Sequence, residues 1–125
     1  MSTKALLIVT ALLEVGTGFS LMVVPSLTAE LLLGQGLSSP PALVVARIAG
    51  AALISVGVAC WLTRNGERPA QSGLVCGMLV YNIAVPIVLL HAWFAWALEG
   101  LGLWPAILLH AGLAIWCLAI KLTRT

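Results

Sequence analysis

Four uninterrupted apolar runs dominate this chain of 125 residues, and each is long enough to cross a lipid bilayer. The first extends from Ala5 to Val24 and is stopped by Pro25. The second extends from Ala42 to Thr63 and is opened by Pro40-Pro41. The third covers Gly73 to about Leu98. The fourth covers Leu103 to Leu122, with Pro105 in its first turn. A helix rises about 1.5 Å per residue, so about 20 residues span the hydrocarbon layer. A membrane barrel would need more and shorter segments that alternate in polarity. The expected fold is therefore all-α, a four-transmembrane-helix antiparallel bundle forming one domain over residues 1–125. Composition agrees. The chain is 62% hydrophobic and 8% charged, with a mean hydropathy of +1.13. A soluble domain carries about 25% charged residues. Six basic and four acidic side chains cannot cover the surface of one.

The connections are short. Residues 64–72 read as a polar turn and residues 99–102 as a tight one. The first connection contains Leu27 to Leu33, which reads as a short helix capped by Ser26 and ended by Gly34. Its mix of leucines with Thr28 and Glu30 predicts a position at the membrane interface. A cleaved signal peptide is the other reading of the first run. Its length, Glu14 at its centre and the lack of a small-x-small site speak against that.

Lys4, Arg64, Arg68, Lys121 and Arg124 flank the runs on one side, whereas the two other connections carry Glu30 and Glu99. The positive-inside rule then puts both termini in the cytoplasm, which for a bacterial chain means the inner membrane. Trp93, Trp96 and Trp104 fall at the outer interface and Trp61 near the inner one, as an aromatic belt requires. A net charge of +2, spread along the chain, gives no footprint for nucleic acid. The bilayer is the expected partner, together with a homo-oligomer or a larger membrane complex.

The polar residues within the runs carry the functional signal. Glu14 lies near the middle of the first run, and Arg47 about five residues into the second. Either charge alone at a helix centre costs about 2.5–3.5 kcal/mol or more. Their expected heights differ by about 9 Å, so a Glu14–Arg47 pair inside the bundle is predicted. Such a pair is either a clamp between the first two helices or part of a ligand site. Thr10, Glu14, Thr17 and Gly18 share a face of the first helix, and Arg47, Gly50, Ile54 and Gly57 share one of the second. Small residues on these faces allow close approach. In the third helix Gly73, Gly77 and Tyr81 form a stripe. Asn82 follows, and Pro86 removes the donor that the Asn82 carbonyl would use. In the fourth, His110, Ala114 and Cys117 share a face. Glu14, Arg47, Asn82 and His110 are thus the candidate ligand-binding or transport residues.

His91 and His110 admit a metal or haem reading, but their depths differ. The plainer reading is an interfacial His91 and a His110 hydrogen-bonded to a neighbouring helix. Cys60, Cys76 and Cys117 are odd in number and lack a C-x-x-C, so neither a disulfide framework nor a zinc site is expected. No nucleophile–base arrangement, phosphate loop or H-E-x-x-H is present, so no catalytic residue is assigned and no cofactor is implied. One buried carboxylate in the first helix is the arrangement of small multidrug exporters, although their other sequence features are missing.

The segments Glu-Val-Gly-Thr-Gly-Phe at 14–19, Val-Pro-Ser at 24–26 and Ala-Arg-Ile-Ala-Gly at 46–50 resemble small bacterial DoxX-like four-helix membrane proteins. That resemblance covers the first half and implies a four-helix bundle without a secure activity. The leading expectation is a non-enzymatic membrane protein that binds a lipid-like or small hydrophobic ligand, or serves as an accessory subunit. The alternatives are an oligomeric small-molecule or proton-coupled transporter using Glu14 and Arg47, and a haem or quinone redox subunit.

Overall fold

A computed structural model describes residues 2–123. The chain forms five helices: α1 (Thr3–Val23), α2 (Pro25–Leu33), α3 (Pro40–Thr63), α4 (Arg68–Trp96) and α5 (Leu103–Leu122). The four long ones are apolar and long enough to cross a membrane, and α2 is the short helix expected between the first two. Only 17% of the apolar window of α3, and 33% of that of α1, is buried by the chain itself. Leu12, Ile48, Val80 and Ile115 all face outward. With so many large side chains uncovered, lipid is the solvent that makes the fold stable.

The helices pack as two antiparallel pairs, α1 along α3 and α4 along α5. Glycine sets the first pair. A Cβ on Gly18 would stand 2.6 Å from the Gly50 carbonyl oxygen and 2.8 Å from Ile54 Cγ1. A Cβ on Gly57 would stand 2.7 Å from Val15 Cγ2 and 3.0 Å from the Ala11 carbonyl. The backbones therefore touch where the sequence places small residues, the packing mode available when lipid gives no hydrophobic drive between helices. The pairs join through a core of Leu6, Leu7, Cys60, Val75, Leu113 and Cys117. A second cluster of Leu89, Leu103 and Ile107 lies under Leu32 and Leu33 of α2.

Several boundaries differ from the sequence expectation, each for a local reason. Helix α4 starts at Arg68 rather than Gly73, so the polar turn shrinks to residues 64–67. Pro69 is pre-set for the first turn of a helix, and the buried Gln71 amide donates to the carbonyls of Thr63 and Arg64 at 3.3 and 3.1 Å. Those bonds satisfy the end of α3, so the polar segment is helical although it is not apolar. Helix α3 starts at Pro40, where Ser39 accepts from the Ala42 amide. Helix α4 ends at Trp96, and Ala97 takes the left-handed conformation with φ 50°. Ser26 does not cap α2. Pro25 opens that helix and has no N–H to satisfy. The Ser26 hydroxyl instead accepts from the Leu37 amide at 3.0 Å, which folds the following loop back.

Gly34 ends α2 with φ 77°, as expected. It is also a point of close approach, since a Cβ there would collide with the Glu99 carbonyl. The Gly102 amide donates to the Leu31 carbonyl at 2.7 Å. Helix α2 is thereby fastened to the α4–α5 connection. Trp93 packs edge-on to Trp104 at 5.4 Å at this end. Lys4, Arg64, Arg68 and Lys121 lie at the opposite end, where Arg64 stacks over Trp61 at 3.9 Å. Arg124, the fifth residue of that basic set, lies outside the described residues.

The glycine contact makes a sharp prediction. Gly50→Ala should destabilise the bundle by about 1–3 kcal/mol through overpacking. Gly112→Ala should be neutral or stabilise by up to about 1 kcal/mol, because a Cβ there meets nothing within 4 Å. Thermal unfolding of both variants in detergent checks this, and equal shifts would contradict the close α1–α3 packing.

Candidate functional site

Helix α1 buries one polar stripe, Thr3, Thr10 and Glu14, with Gly18 continuing it; Thr17 is exposed. Glu14 is 3% exposed. The register of α1 against α3 turns it towards α4, where the Tyr81 hydroxyl interacts with its carboxyl. One residue further on, Asn82 is fully buried. Its amide nitrogen donates to the Met78 carbonyl at 2.8 Å, and its Oδ1 lies 2.7 Å from His110 Nδ1. With the amide nitrogen already donating, Oδ1 accepts, so Nδ1 carries the proton and Nε2 is free to accept. The His110 ring also meets Tyr81 edge-on at 5.4 Å. Glu14, Tyr81, His110 and Asn82 thus form a polar seam across α1, α4 and α5. Thr10 Oγ1, one turn from Glu14, is buried without a partner, so the seam carries unused hydrogen-bonding capacity.

Arg47 does not join this seam. It is exposed, and its Nε donates to the Met22 carbonyl at 3.3 Å. The predicted Glu14–Arg47 pair is therefore not formed. Met22 lies two helical turns beyond Glu14, roughly 12 Å along α1. The glycine contacts set Gly50 against Gly18 and Met22, which carries Arg47 to the last turn of α1. A cation there complements the carbonyls at a helix C-terminus. Arg47 links α3 to α1 through a backbone carbonyl.

The other candidates separate as well. His91 is exposed and packs edge-on to Trp96 at 5.1 Å, away from the His110 seam. Among the described residues no group of three His, Cys, Asp or Glu side chains stands ready to hold a metal ion. Cys60 and Cys117 are free thiols buried in the core, and Cys76 is exposed.

Beside the seam lies a cleft of about 210 Å³ between α3 and α4, lined by Leu53, Val56, Leu74, Gly77, Met78 and Tyr81. These two helices come close at few points, and a Cβ on Gly77 would meet nothing within 4 Å. The surface of the cleft is apolar, and the Tyr81 hydroxyl is engaged by Glu14. A wholly apolar molecule or lipid chain matches such a surface. Tyr81 was legible in the sequence only as the end of the Gly73–Gly77 stripe, and nothing in its spacing pointed to Glu14.

No protein-family profile matches the chain, and no curated protein or solved structure is significantly similar to it.

Double-mutant cycles test the seam. Asn82→Ala and His110→Ala should couple by about 0.5–1.5 kcal/mol, the net worth of a buried hydrogen bond. Glu14→Gln and Arg47→Ala should add within about 0.5 kcal/mol, as distant sites do. Unfolding midpoints in detergent give both figures. Strong coupling between the Glu14 and Arg47 variants would restore the pair.

Proposed function

We propose that this small four-helix membrane protein binds a lipid-like or small hydrophobic molecule in the cleft between α3 and α4. One observation carries the reading: an apolar cleft between two spans, with a buried carboxylate behind the Tyr81 that lines it. An isolated carboxyl in such a setting is expensive unless it has a partner or a task. Glu14 engages the Tyr81 hydroxyl, Tyr81 borders the cleft, and the His110–Asn82 bond fixes the far side of the seam. The apolar chain of a ligand would lie against Leu53, Val56, Leu74 and Met78. On this reading the protein resides in a bacterial inner membrane with both termini in the cytoplasm, the orientation that its basic end favours.

Gly77→Leu tests the proposal, since a Cβ there meets nothing within 4 Å and the rest of the side chain would occupy the cleft. The variant should fold and unfold like the parent yet lose, by about tenfold or more, the small apolar molecules that mass spectrometry finds co-purifying with it. Equal recovery from both proteins would rule out this cleft as the binding site.

A further inference from the structure

A second cavity, independent of the α3–α4 cleft, opens at the basic end of the bundle. It measures about 530 Å³, lies beside the first turn of α4 and the residue that follows α5, and is lined by Arg68, Pro69, Ser72 and Thr123. Lys121 of α5 donates from Nζ to Ser72 Oγ, on a lining residue, at 3.1 Å. That bond uses one of the three ammonium donors. It also leaves the Ser72 hydroxyl proton free to donate onward. Among the described residues no carboxylate pairs with Arg68 or Lys121. Arg64, at the same end, behaves differently: it stacks on Trp61 and donates to the Trp61 carbonyl.

Arg68 of α4 therefore lines this polar cavity, and Lys121 of α5 is bonded to Ser72 on its wall. The cavity also sits where α4 begins and α5 ends, at the boundary of two spans. That is the level of lipid headgroups, and basic pockets between spanning helices are suited to anionic ones. We propose that this cavity binds the phosphate of an anionic lipid headgroup, with Arg68 and Lys121 supplying charge and the Ser72 hydroxyl supplying a directed hydrogen bond.

The test is native mass spectrometry of the full chain in neutral detergent, with phosphatidylglycerol or phosphatidylcholine added. The parent protein should retain phosphatidylglycerol several-fold better. Arg68→Ala with Lys121→Ala should lower that retention by about thirtyfold, as the loss of two charge contacts implies. Arg64→Ala should leave it unchanged. Ser72→Phe, which keeps both cations but fills the cavity, should lower it as well and carries the test if the charge variants fold poorly. Equal retention of the two lipids, or no loss in either cavity variant, would overturn the site. Displacement of the lipid by inorganic phosphate at equal concentration would overturn the lipid assignment in favour of the free ion.

Discussion

The backbone contact between α1 and α3 at Gly18, Gly50 and Gly57 is the constraint from which the rest of the structure follows. Lipid offers no hydrophobic reward for pressing two apolar helices together, so close packing of small residues has to supply the specificity. Once Gly50 sits against Gly18, the register of the pair is fixed. Glu14 then faces Tyr81, and Arg47 reaches the end of α1. Helix α3 is held by α1 along its length and does not need α4, which packs on α5 instead. The cleft between α3 and α4 is the space that these two separate pairings leave behind.

The seam shows how a membrane protein accommodates polar side chains. Asn82 is satisfied twice, by His110 and by the Met78 carbonyl. Glu14 meets a phenol rather than a cation. Arg47 meets a backbone carbonyl at the margin of the bundle instead.

Much of this was legible in the sequence, and the failures are instructive. Hydropathy located the four spans because lipid selects for continuous apolar length. The helical faces located the Gly18 and Gly50–Gly57 contact, and His110 does bond to a neighbouring helix, through Asn82. The Glu14–Arg47 pair fails by a few ångström: the glycine register sets Arg47 about 12 Å rather than about 9 Å from Glu14 along the axis, and a backbone carbonyl takes its guanidinium. The polar start of α4 was invisible to hydropathy because Gln71 and Pro69 favour a helix for reasons of hydrogen bonding and φ. The fastening of α2 to the α4–α5 connection was hidden because both partners are loop-end backbone, brought close only by the tertiary fold.

Binding in the α3–α4 cleft is tested most directly by photocrosslinking in intact membranes with a fatty acid that carries a diazirine along its chain, followed by peptide mapping. Labels should concentrate on the cleft residues Leu53, Val56, Leu74 and Met78. Labels spread evenly over the outward-facing Ile48, Val80 and Ile115, with no enrichment in the cleft, would contradict it.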